Sequence, residues 1–115
     1  MVKYGVRKYL LWVRLVNNVF YSFDAEYMDY TEITKRHKSG NYQYILYRFR
    51  DLHTNEIHYL YDHKNSKNLV KDITNNEHAA FRITGRVTAR KMQHFCNLDA
   101  VALIEPDGLK WIYRI

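Results

Sequence analysis

The strongest signal along the chain is alternation. Between Phe81 and Lys91, the residues Phe81, Ile83, Gly85, Val87 and Ala89 share one parity, and Arg82, Thr84, Arg86, Thr88 and Arg90 share the other. A repeat of two is the side-chain period of an extended strand, so the segment reads as a strand with one apolar and one basic face. Gly85 in its middle marks a bend or bulge of the kind that lets a sheet coil. The same segregation recurs from Tyr42 to Arg50, where Gln43, Ile45, Tyr47 and Phe49 oppose Tyr42, Tyr44, Leu46, Arg48 and Arg50. Asp51 to Glu56 turns the chain, and Ile57 to Asp62 returns with Ile57, Tyr59 and Tyr61 on one side and His58 and Leu60 on the other, which predicts a hairpin. Ala100 to Glu105 is a further apolar strand. Pro106-Asp107-Gly108 makes a turn, and Leu109 to Ile115 comes back with Leu109, Trp111, Tyr113 and Ile115 on one face.

Two stretches support two readings each. Leu10–Val16 and Val19–Phe23 flank Asn17-Asn18, a pair that tolerates positive φ, which argues for a hairpin; Val6, Leu10, Val13 and Val16 fall at helical spacing and argue for a helix. Asp24 caps a helix over residues 25–38 that ends at Gly40, with acids early and bases late. In the rival reading the stretch is an edge strand, Tyr30, Glu32 and Thr34 alternating with Thr31, Ile33 and Lys35 before a turn at Lys38-Ser39-Gly40-Asn41. Between residues 64 and 74, Ser66 caps a short helix whose apolar side carries Leu69, Val70 and Ile73.

At 115 residues and 47% apolar, the chain fits one domain over residues 1–115, and an aromatic content of 16% excludes the disordered class. Eighteen Lys and Arg against twelve Asp and Glu give a net charge of +6, which points to an acidic partner. The charge comes in blocks. Residues 1–23 hold only bases, 24–34 only the acids Asp24, Glu26, Asp29 and Glu32, and 35–50 the bases Lys35, Arg36, Lys38, Arg48 and Arg50. Such blocks pair across neighbouring elements, so only an unpaired stripe counts as a binding surface. Cys96, the single cysteine, reads as a buried thiol in a reducing compartment. Lys3, Arg7 and Lys8 before the apolar run 9–16 imitate a signal peptide, but Arg14 interrupts the run and no small-residue cleavage site follows. The expectation is a soluble cytoplasmic protein with no membrane partner.

Chemistry concentrates on the basic strand. Arg82, Arg86 and Arg90 point the same way, successive members roughly 13 Å apart at about 3.3 Å per residue, a spacing that tracks phosphates. Arg48 and Arg50 add charge beside Tyr42 and Tyr44, whose rings are placed to stack bases, and together the seven residues predict binding of single-stranded DNA or RNA. The same pattern arises when the arginines pair with acids on the next strand and the tyrosines only cover the sheet. A second cluster, Asp51, His53, Glu56, His58, Asp62 and His63, shares with some metal nucleases an Asp-His pair followed by Asn65 and Asn68. The second His such a site needs has no counterpart, since His78 falls just before a strand, so the cluster reads as turn residues. With no phosphate loop, nucleophile elbow or Cys-x-x-Cys pair, neither enzyme, metal nor cofactor is expected.

The order of strand, strand, short helical connector and a Gly-bent strand around Ile83-Thr84-Gly85-Arg86-Val87 resembles the small five-stranded barrels of the oligonucleotide-binding type over residues 27–105. The resemblance implies an α+β fold, mainly antiparallel, with one or two short helices and an OB-like barrel. It also implies nucleic-acid binding across the central strands at Tyr44, Arg48, Arg82 and Arg86. Residues 1–23 and 106–115 have no place in such a barrel. The chain also looks like small bacteriophage accessory proteins, which sets the rival expectation: an inhibitor or adaptor bound to a host protein in the host cytoplasm. The free edges of a small sheet would also let two copies pair as a homodimer.

Overall fold

The computed structural model describes residues 18–88 and 95–115, and the side chains of 20–87 and 96–115. The proposed partner strand Leu10–Val16 and the last member of the basic stripe, Arg90, lie outside the described residues. The elements run β1 (Asn18–His37), β2 (Gly40–Asp51), β3 (Ile57–Asp62), α1 (Lys67–Thr74), β4 (Ala80–Thr88), β5 (Phe95–Glu105) and β6 (Gly108–Arg114).

The stretch with two readings is strand from Asp24 to His37, and Lys38 begins the turn. Its early acids, which with the late bases mimic the charge order of a helix, instead face arginines on neighbouring strands. β1 pairs antiparallel with β4 over Asn18–Glu26 and with β2 over Ala25–His37, so one strand passes from the first neighbour to the second and overlaps both at Ala25 and Glu26.

Hydrogen bonding orders the strands β3-β2-β1-β4-β5-β6, with one additional pairing between β3 and β5. The first five strands are therefore a ring of neighbours, but the ring is not closed into a barrel, and the expected resemblance to the oligonucleotide-binding barrel does not hold. The parallel β3–β5 seam spans only Tyr59↔Phe95, Leu60↔Cys96 and Tyr61↔Asn97. From Ala100 onward β5 pairs instead with β6, the strand for which a five-stranded barrel has no room. What stands is an α+β fold, mainly antiparallel, with one short helix among the described residues.

Among the described residues, three bulges decide which side chains face the core. In β1 the register skips between Tyr27 and Asp29, so Met28 is the extra residue. In β5 it skips opposite Thr84 and Gly85, which makes Asp99 the extra residue. In β6 it skips Ile112, and this breaks the single face expected for Leu109, Trp111, Tyr113 and Ile115: Trp111 lies opposite Ala102, whereas Tyr113 lies opposite Val101 and reaches inward. An inserted residue inverts every side chain beyond it, which a period of two cannot anticipate.

The curled sheet encloses Ala25, Ile45, Tyr47, Phe49, Leu60, Phe81, Ile83 and Val101, all fully buried. Leu69 and Ile73, one turn apart on α1, complete this core, and burying a side chain of that size contributes about 1.5–3 kcal/mol. The helix starts as expected: Ser66 Oγ accepts from Leu69 N at 3.2 Å. Buried Asp62 fixes the approach to it, accepting from Lys64 N at 3.0 Å, Ser66 N at 2.9 Å and the Tyr113 hydroxyl at 3.0 Å. Gly85 has a steric reason. It faces Tyr21 across the β1–β4 ladder, and a Cβ there would lie 2.9 Å from the ring.

Candidate functional site

The outer face of the sheet is a ladder of cross-strand ion pairs. Glu26 and Asp24 share a parity on β1, and the Met28 bulge brings Asp29 to the same face, so all three acids meet arginines on neighbouring strands. Arg82 donates through Nε to Asp24 Oδ1 at 2.8 Å and through Nη2 to Oδ2 at 3.2 Å. Arg48 makes the same two-pronged contact with Asp29, its Nε 2.8 Å from Oδ1. Arg50 pairs with Glu26, and Arg86 Nε donates to Asp99 Oδ1 at 3.2 Å. The β5 bulge thus acts as the β1 bulge does, turning an acid toward an arginine. The hydrogen bonds from Arg82 and Arg48 hold the Asp24 and Asp29 carboxyls below the usual carboxylate range.

These pairs bear directly on the basic stripe. Arg82 and Arg86 do share the outward face of β4, as alternation predicts, but each meets a carboxylate, and so do Arg48 and Arg50 on β2. The expected open row of guanidinium groups is therefore corrected for every described member: the ladder register sets acids opposite Arg82, Arg48 and Arg50, and the β5 bulge turns Asp99 toward Arg86. Tyr44 departs from its expected role in a different way. It lies on the outward parity yet is only 4% exposed, covered by Tyr42, Tyr61 and His63.

The polar cluster around β3 does not converge. Asp51 accepts from His53 N at 2.8 Å and Thr54 N at 3.2 Å, with His58 Nε2 3.8 Å away, while Asp62 and His63 sit at the opposite end of the strand. Among the described residues no group of three His, Cys, Asp or Glu is placed to hold a metal ion.

What the sheet does leave open is its longest hairpin. β2 meets β3 only as far as Ile45, so the five pairs from Ile33↔Tyr44 to His37↔Gly40 form a two-stranded arm about 16 Å long at 3.3 Å per residue. Lys38 and Ser39 turn its tip. Lys35, Arg36 and Lys38 are exposed there, and none reaches a carboxylate among the described residues. Along the outward side runs a column of rings: His37 to Tyr42 at 6.1 Å, Tyr42 to Tyr44 at 5.8 Å, Tyr44 to Tyr61 at 5.2 Å and Tyr61 to His63 at 5.8 Å. At the foot of the column, His63 Nε2 donates to Asn97 Oδ1 at 3.0 Å. Tyr42, the exposed tyrosine of the column at 43%, stacks on buried Tyr44 and lies opposite Lys35.

Sequence reading had singled out Tyr42 and Tyr44 but passed over Lys35, Arg36 and Lys38 as a surface, although their block of bases was visible. The missing information was that the strand outruns its neighbours. No helix among the described residues is long and apolar enough to cross a membrane. Comparison with protein-family models, curated proteins and solved structures finds no match for this chain.

Proposed function

We propose that this protein binds single-stranded nucleic acid, carrying out no reaction of its own, through the outward side of the β1–β2 arm. The observation that supports this reading most is the ring column, which carries an exposed tyrosine opposite Lys35, a cation that no described carboxylate neutralises. An exposed ring gives an unpaired base a stacking surface worth about 1–3 kcal/mol, and unneutralised cations release counterions from the phosphate backbone. Tyr42 stacks a base with Tyr44 behind it as a rigid support. Lys35, on the same face, and Lys38, at the tip, contact phosphates. Arg48, Arg50, Arg82 and Arg86 hold the sheet in shape rather than gripping the ligand.

The test is fluorescence anisotropy with labelled oligothymidylate and oligouridylate over a salt series. Affinity is expected to fall linearly on logarithmic axes as salt rises, with Lys35→Glu and Lys38→Glu each flattening the slope. Tyr42→Ala is expected to weaken binding by about 1–3 kcal/mol, while Arg82→Gln leaves it close to wild type. No binding at low salt, or binding indifferent to salt and to Tyr42, would overturn the reading.

A further inference from the structure

Among the described residues β6 ends the sheet: it is hydrogen-bonded to β5 alone, and no described strand pairs with its other edge. Such an edge is a template for another strand. Its surroundings are apolar, with Leu109, Trp111 and Ile115 exposed at 37%, 44% and 57%. Its charge runs in one direction. The strand is entered through the exposed acids Glu105 and Asp107 and left through the exposed Arg114, whose guanidinium lies 4.3 Å over the Trp111 ring.

We propose that the partner of this edge is the β6 of a second copy of the chain, paired antiparallel about a twofold axis at Lys110. An edge that begins acidic, continues apolar and ends basic is its own complement when reversed. Centred on Lys110, the pairing sets Arg114 of each copy opposite Pro106 of the other, between Glu105 and Asp107, and the symmetry makes this contact twice. A parallel arrangement would put acid beside acid and arginine beside arginine. Leu109 and Trp111 of the two copies then meet on the outward face, across from each other. Lys110 faces the other side of the sheet, opposite Leu103 on β5, and its long stem carries the charge clear of the axis. The pairing stands on β6 alone and is independent of the arm.

Sedimentation equilibrium on the full chain, without nucleic acid and over a concentration series, tests it. The wild type is expected to show a reversible monomer–dimer equilibrium. Arg114→Glu alone and Glu105→Arg/Asp107→Arg alone are each expected to weaken self-association by about tenfold or more, because each turns both ends of its homodimer repulsive. Mixing the two variants in equal amounts restores dimers, since each end of the mixed pair is again acid against base. Circular dichroism confirms that both variants fold. A monomer at every concentration, or a dimer that neither variant weakens and mixing does not restore, would overturn the proposal.

Discussion

Arg82 grips both carboxylate oxygens of Asp24 across the β1–β4 ladder, Nε to Oδ1 at 2.8 Å and Nη2 to Oδ2 at 3.2 Å. Arg48 and Asp29 repeat the contact across the β1–β2 ladder. A planar guanidinium forked onto a carboxylate ties two strands together at a fixed distance, so the outer face is braced by its charges as the inner face is by its packing.

The brace has an acid limit. The folded state lowers the carboxyl pKa of Asp24 and Asp29 below the reference 3.8, chiefly through the arginine hydrogen bonds. Their stabilisation is therefore present in full above the unfolded value and is lost as pH falls through it toward the folded value. Urea denaturation followed from neutral pH into that range should show stability falling, and the double variant Asp24→Asn/Asp29→Asn should flatten the fall. Because both pairs are partly exposed, the effect at neutral pH is small.

Gly85→Ala places a methyl 2.9 Å from the Tyr21 ring, which itself stacks on Phe23 at 5.7 Å and cannot withdraw freely. The expected cost is about 1–3 kcal/mol of stability by chemical denaturation. Pairing the substitution with Tyr21→Ala removes the clash, so the two effects should be strongly non-additive.

Asp62→Ala removes one acceptor and orphans three donors, the Lys64 and Ser66 amides and the Tyr113 hydroxyl, in a region where the carboxylate is 1% exposed. A loss of about 3 kcal/mol or more is expected. Tyr113→Phe, which leaves both amides satisfied, should cost about 1 kcal/mol, a difference that thermal melts would resolve.

At the alkaline end the sign reverses. Burial pushes the Tyr47 and Tyr113 phenols well above the reference 10.0, and the charge of Asp62 pushes the same way. Their contribution is complete below pH 10.0 and declines as pH rises beyond it, because unfolding lets them ionise. The Tyr47 hydroxyl is buried with no hydrogen-bond partner among the described residues. Tyr47→Phe should therefore hold or raise stability at neutral pH and make the alkaline decline shallower, as read by denaturation and tyrosinate absorbance.

Alternation alone was enough to find β2, β3 and β4, because each has one face against the core, and the Ser66 cap and the Pro106-Asp107-Gly108 turn into β6 carry local chemistry that needs no partner. The site was harder to see. Met28, Asp99 and Ile112 each shift a register by one residue, and nothing in their own side chains announces an insertion. Arg82 and Arg86 were placed on the correct face, but the acids opposite them stand 58 and 13 residues away along the chain, beyond the reach of any local pattern. Tyr44 shows the opposite limit: its parity is outward, and only the folding of β3 and His63 against β2 covers it.

β1 is a single uninterrupted strand that runs through the core at Ala25 and reaches the arm's tip at His37. The arm consequently has no hinge of its own. A load applied to its end travels down a hydrogen-bonded lever, past the kink at Met28, into the strand that links β2 to β4. A ligand bound at the tip is therefore expected to change amide exchange at Ala25 and Glu26, where β1 pairs with both neighbours.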